Sequence, residues 1–128
     1  AEDAAEDASG AAGDGGGRRG ALRPAGRGRG PVMFHVALSR RGPAWVPGRP
    51  AEEQSGWDEH AAFMDGLVEA GFVVLGGPLA DEHRVVLAVA ADSEEEVRAT
   101  LARDPWHGSH LVVDAVEPWT IRLDGRRR

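Results

Sequence analysis

Phe72-Val73-Val74-Leu75-Gly76-Gly77-Pro78 and, after a short polar connector, Arg84-Val85-Val86-Leu87-Ala88-Val89-Ala90-Ala91 are the stretches on which the architecture of this chain turns. Both are rich in β-branched residues and bounded by Gly, Pro or charged residues, the marks of strands. They predict strand two over Phe72–Gly76 and strand three over Arg84–Ala91, joined as a hairpin with His83 in its loop, beside Asp81 and Glu82. Gly76-Gly77-Pro78 closes strand two, either as a tight turn or as backbone that lets a ligand approach closely. Neither run alternates apolar with polar. Both faces of the sheet therefore ask for burial.

Helical patterns flank this hairpin on both sides. Before it, His60, Phe63, Met64, Leu67 and Val68 form an apolar stripe at helical spacing, predicting a helix from Trp57 to about Ala70. Ser55 with Asp58 reads as its capping pattern and Gly71 as the residue past its end. After the hairpin, Ser93 with Glu96 starts a second helix that runs to about Arg103, with Val97 and Leu101 inward. Val32, Phe34, Val36 and Leu38 alternate along a first strand, Val32–Ser39. A fourth strand runs from Leu111 to about Leu123, bent or interrupted at Pro118. The order β-α-β-β-α-β is the split βαβ pattern of an α+β, ferredoxin-like fold. Two helices cover one face of its sheet. The other face, also apolar, is expected to pack on a second copy, so a homodimer is predicted.

Residues 1–30 differ from the rest. They read Ala, Glu and Asp first, then Gly and Arg, with Leu22 the one large apolar side chain. Such a segment buries too little to offset its ordering entropy, so disorder is expected there and one domain over 31–128. Gly15-Gly16-Gly17-Arg18-Arg19-Gly20 fits G-x-G-x-x-G in form only, since no strand precedes it. Met33 is a candidate initiator, which N-terminal sequencing of the native protein would test. Neither a basic n-region nor an apolar h-region opens the chain, and the run Val85–Ala91 is too short to span a bilayer. A cytoplasmic protein without membrane association is the expectation.

Composition narrows the chemistry. The chain has no Cys, Lys, Tyr or Asn. A thiol nucleophile, a Schiff base, a P-loop lysine and a phenolic acid are therefore excluded. The formal charge of −6 argues against nucleic acid as a partner. His, Asp, Glu, Ser, Thr and Arg remain, and no motif calls for an organic cofactor.

His60 stands out because it lies on the apolar face of the first helix. Asp104 heads Asp104-Pro105-Trp106, just past the second helix. The split topology brings these places towards one end of the sheet. A histidine held by a carboxylate is a general base with a fixed tautomer. Each residue also has a plainer role: a half-buried histidine with one hydrogen bond, and an Asp-Pro turn. Trp45 and Trp106 flank loops and offer ring faces to a flat substrate, or else pack on the sheet edge. Ser109 offers a hydrogen bond. His107 and His110 suggest a metal, but the intervening Gly108-Ser109 reads as a turn that would not align them, so no metal is expected. His35, on the alternate face of strand one, reads as structural.

A set of motifs adds to this. Arg41-Gly42-Pro43-Ala44-Trp45, Trp57-Asp58-Glu59-His60-Ala61-Ala62-Phe63-Met64, Gly71 to Leu79, Asp104-Pro105-Trp106 and Val116-Glu117-Pro118-Trp119 together resemble the YCII-related family. The resemblance spans about residues 32–123. It implies a ferredoxin-like fold of the dimeric α/β barrel type. It also implies an active site pairing His60 with Asp104, and chemistry such as hydrogen halide elimination from chlorinated hydroxyquinols. The expected function is a cofactor-independent lyase or isomerase acting on a hydroxylated aromatic or small carbonyl compound, with Trp45, Gly76, Gly77, Trp106 and Ser109 lining its site. The alternative is a non-catalytic ligand-binding or dimerisation module of the same fold.

Overall fold

The computed structural model describes residues 31–126, so the expectation of disorder over residues 1–30 lies outside the described residues. Four strands are present: β1 (Val32–Ser39), β2 (Val73–Pro78), β3 (Arg84–Ala91) and β4 (Val112–Pro118). Two α-helices join them, α1 (Trp57–Glu69) after β1 and α2 (Glu94–Leu101) after β3, with a short 3-10 turn at Ala51–Glu53. The sheet order is β2-β3-β1-β4, and every neighbouring pair is antiparallel. The fold is thus α+β, a four-stranded antiparallel sheet with two helices. Because β1 and β3 run in opposite directions, the helices that follow them do too. The start of α1 and the end of α2 therefore meet at one end of the sheet.

Alternation on β1 fixes the buried face. Phe34, Val36 and Leu38 are buried and lie opposite Val89, Leu87 and Val85 of β3. Val97 and Leu101 of α2 and Leu67 of α1 close over them in one hydrophobic cluster. Val36, Val89 and Val97 are among the most completely buried side chains, each contributing roughly 1.5–3 kcal/mol of transfer free energy. The opposite face carries Met33, His35 and Ala37 of β1 beside Ala90, Ala88 and Val86 of β3. It is mostly small and apolar. At the β1–β4 pairing the register shifts between Ala37 and Leu38, and Asp114 of the bulged strand bonds Arg41.

The helix ends show how local chemistry sets the chain path. Past α1, Gly71 takes a left-handed conformation (φ 82°). Its N–H bonds the Val68 carbonyl, and Phe72 N–H bonds the Leu67 carbonyl at 2.9 Å. That is a Schellman closure with its apolar Leu67–Phe72 pair, and only Gly takes this conformation without strain. At α2, Ser93 Oγ accepts from Glu96 N–H at 3.1 Å, and Glu96 returns a bond to Asp92 N–H at 2.7 Å.

Three expectations need correction. Ser55 does not cap α1: the cap position is Gly56 (φ 74°), without a side-chain bond. Ser55 is committed to His110 and Trp106 instead. Gly76-Gly77-Pro78 is strand rather than turn, opposite Leu87, Val86 and Val85 of β3. A Cβ at Gly76 would lie 2.5 Å from a Leu87 methyl, so the close packing of strand on strand requires glycine there. The real turn is at Leu79–His83. Asp81 fixes it by accepting from His83 N–H, Arg84 N–H and the Arg84 guanidinium. The backbone bond from His83 is foremost in holding its carboxyl well below the usual carboxylate range. Glu82, in the same turn, has φ 60°, which costs a non-glycine residue roughly 1–2 kcal/mol. Finally, β4 ends at Pro118 and does not continue to Leu123, which is 93% exposed. No helix among the described residues is long and apolar enough to cross a membrane.

Candidate active site

His60 sits in the first turn of α1, its N–H bonded to the Gly56 carbonyl at 3.0 Å. Asp104 lies three residues past the end of α2. Its Oδ1 accepts from the Trp106 N–H at 2.9 Å, an Asx turn with Pro105 at the preset position. That turn fixes the carboxylate, which meets the imidazole of His60. Nδ1 of His60 lies 2.9 Å from Oδ1 and 3.0 Å from Oδ2. Both side chains are largely shielded, 12% and 6% exposed. Since a carboxylate only accepts, Nδ1 carries the proton in the neutral ring. Nε2 then bears the lone pair, and it has no hydrogen-bond partner among the described residues.

The ring of His60 is held from the side as well. It stacks on Trp106 with centroids 4.1 Å apart and planes 7° from parallel. The far face of Trp106 stacks on His110 at 4.7 Å and 13°. Trp45 meets Trp106 edge-on at 5.6 Å, and Trp57 leans against both Trp106 and His60. Trp106 is 2% exposed and donates its indole N–H to the Ser55 carbonyl at 2.8 Å. His110 is buried, with Ser55 Oγ 3.1 Å from Nε2 and Ser109 Oγ 2.9 Å from Nδ1. Burial, and then the charge of nearby His60, hold its imidazole below the ordinary histidine value, against a smaller opposing pull from Asp104. A neutral His110 donates from one nitrogen and accepts at the other, which two hydroxyls satisfy.

A cleft of about 720 Å³ opens on the helix-bearing side of the sheet. His60 and Met64 of α1, Gly76 and Gly77 of β2, and Asp104 and Trp106 form part of its wall. The structure thus gathers five of the seven expected site residues around one space. Trp45 and Ser109 are outside its wall, because both pack behind Trp106. Trp106 reaches the cleft with both ring faces already covered, so no face is left for a flat ligand. Gly76 and Gly77 contribute backbone to the cleft without turning. His107 also reaches the cleft, whereas His110 is separated from His60 by the indole. Among the described residues no group of three or more His, Asp or Glu is placed to hold a metal ion.

The sequence reading passed over Arg40. It lines the cleft, with its guanidinium carbon 4.8 Å from the Trp45 ring centroid. The signal was present: Phe34, Val36, Leu38 and Arg40 continue one alternation, which sets a cation on the buried face of β1. Gln54 was missed too. It is 4% exposed and ties the 46–49 loop down through bonds to both backbone groups of Val46 and to the Arg49 carbonyl.

Comparison with protein-family models, with curated proteins and with solved structures finds no match to this chain.

Proposed function

We propose that this cleft is the active site of a cofactor-independent lyase or isomerase in which His60 is the general base. Neutral His60 removes a proton through Nε2 from a small hydroxylated aromatic or carbonyl compound. Asp104 keeps the proton on Nδ1, aims the ring and faces the positive charge that the ring acquires. Proton removal beside a carbonyl, or from a ring hydroxyl, pushes an electron pair towards a leaving group. A chlorinated hydroxyquinol would then lose chloride, and a substrate without a leaving group would isomerise. The observation that carries this reading is the two-oxygen grip of Asp104 on Nδ1, at 2.9 and 3.0 Å, in a histidine that lines the cleft and whose Nε2 has no hydrogen-bond partner among the described residues.

The motif resemblance to the YCII-related family supports the same pairing and the same class of reaction. It also supports a ferredoxin-like fold of the dimeric α/β barrel type, with which the strand order β2-β3-β1-β4 agrees. In that arrangement a homodimer covers the face formed by Met33, Ala37, Val86, Ala88 and Ala90, on which neither helix among the described residues packs. Chloride release from a chlorinated hydroxyquinol is the direct test. Turnover is expected for the wild-type chain and is expected to vanish in His60→Ala with folding intact. Retained turnover in that variant would sink the assignment.

A further inference from the structure

Arg40 is buried to an unusual degree for a cation, with its side chain 11% exposed. Its donors are unequally used. Nη1 bonds the Glu82 backbone carbonyl and lies 3.3 Å from the Glu82 carboxylate. Nε is buried without a hydrogen-bond partner, the one side-chain polar atom in that state among the described residues. Nη2 makes no hydrogen bond among them either. The group is nonetheless held firmly. Trp45 backs its plane at 4.8 Å, its own N–H bonds the His83 carbonyl at 3.0 Å, and left-handed Glu82 delivers the carbonyl that Nη1 takes.

An arginine fixed on one side has Nη2 unused on the other and, next to it, Nε unpaired but covered by packing; with that cover displaced, the two parallel N–H groups receive a planar two-oxygen acceptor. A buried donor left unpaired is costly, and such groups ask for an explanation. Arg40 and His60 line the same cleft. We propose that Arg40 binds the carboxylate of the substrate through Nη2, with Nε joining as the packing over it gives way, so that the cleft takes a small monocarboxylate with an apolar or aromatic body. The rest of the wall favours this class. Met64, Val68, Val85 and Leu87 present apolar surface to the body of the molecule. Glu52, Asp65, Glu82 and Asp104 also line the cleft; they oppose any anion away from Arg40, and a doubly charged group such as phosphate more than a single carboxylate. Arg40 would thus anchor one end of the substrate and leave the other to His60.

The inference rests on the preceding section only in treating the cleft as a small-molecule site. Benzoate and its neutral isostere benzamide test it on the 15N-labelled protein, observed through arginine Nε–H correlations. The Arg40 signal is assigned by its loss in Arg40→Lys. Benzoate is expected to bind saturably and move the Arg40 Nε–H downfield, and benzamide to bind roughly tenfold or more weakly. Arg40→Lys keeps the charge but loses the fork, and is expected to lose the preference for benzoate. Should that variant fail to fold, the two ligands on the wild-type chain decide alone. No binding of benzoate, equal binding of benzamide, or an unmoved Arg40 Nε–H overturns the proposal. Turnover measured beside binding on the wild-type chain separates the two readings. Selective benzoate binding without any turnover removes the role of His60 and leaves that of Arg40. Turnover without anion preference does the reverse.

Discussion

A histidine, a carboxylate and a tryptophan meet at two places in this molecule, with different results. At the start of α1, His60 is paired with Asp104 at 2.9 Å and stacked on Trp106 at 4.1 Å. On the opposite face of the sheet, His35 is paired with Glu117 at 3.4 Å and meets Trp119 edge-on at 5.7 Å. The first carboxylate is 6% exposed and locked by an Asx turn; the second is 66% exposed and lies on an edge strand. Composition does not separate them. What does is where the trio sits: Asp104 and Trp106 share the turn past α2, His60 lies at the start of α1, and the packing of those two helix ends excludes water. In water an ion pair is screened and gains little; shielded by indole and helix, the same pair fixes a tautomer.

Removing the tryptophans should break the comparison most visibly. Trp106→Ala is expected to cost about 4 kcal/mol, because it empties a fully packed site and uncouples His60, His110, Trp45 and Trp57. Trp119→Ala, at a half-exposed position, is expected to cost about 1 kcal/mol or less. Urea unfolding of both variants gives the contrast directly, and similar costs would show that the stack is not a core element. The carboxylates come next. Asp104→Ala strands both Nδ1–H of His60 and the Trp106 N–H in a buried place, at about 2 kcal/mol. Asp104→Asn keeps an acceptor for Trp106 but offers an amide to Nδ1, which moves the ring proton to Nε2. Under the proposed chemistry, stability then changes little while turnover falls by roughly 10³-fold or more. Imidazole 15N spectra are expected to show the tautomer exchange, and an unchanged tautomer would remove Asp104 from its assigned role.

Much of this could be read from the chain, and the parts that could not have physical reasons. The order of elements followed from local signals: alternation in Phe34, Val36 and Leu38, the helical stripe through Leu67, and the Ser93 cap. His60 and Asp104 were legible because a polar residue on an apolar stripe and an Asp-Pro step are both local features. Ser55 misled because a capping pattern is only an offer of hydrogen bonds. The ring of His110, distant in sequence, took up the Ser55 hydroxyl first, while the indole of Trp106 took its carbonyl. Gly76 and Gly77 read as a turn or as a close approach to a ligand because glycine is permissive. Gly76 is glycine because the Leu87 side chain on the neighbouring strand leaves no room for a Cβ, which no local pattern reveals, whereas a Cβ at Gly77 would meet nothing within 4 Å. Trp106 read either as a platform for a ligand or as packing on the sheet edge, and which face of an aromatic ring is already covered depends on tertiary contacts alone.

His110 sharpens the comparison through pH. Its imidazole is held below the ordinary value of 6.5, first by burial and then by the charge of His60. As pH falls, the unfolded chain therefore takes up this proton before the folded one does. The stabilisation from a neutral His110 is full above pH 6.5 and shrinks as pH falls from there through the lowered folded value. In urea unfolding from pH 8 downwards, the advantage of wild type over His110→Gln is expected to narrow below that point. An advantage that stayed constant or widened would mean that the charged form is tolerated in the stack.

The smallest expected effect is the most direct check on the contrast between the two trios. Glu117→Gln keeps size and hydrogen-bonding capacity at the exposed pair while removing the charge. Its carboxylate is 66% exposed and 3.4 Å from His35, so screening leaves little to lose. A change of about 0.5 kcal/mol or less is expected in urea unfolding of the monomer, with no effect on turnover. The same substitution has a second readout, because His35 and Glu117 lie on the face assigned above to a second copy. If a dimer covers that face, the pair leaves water and its loss grows with protein concentration, so that the dissociation constant from sedimentation shifts more than monomer stability does. A loss of stability well above 0.5 kcal/mol in the monomer would mean that exposure does not govern the worth of such a pair, and the contrast between His35 and His60 would need another cause.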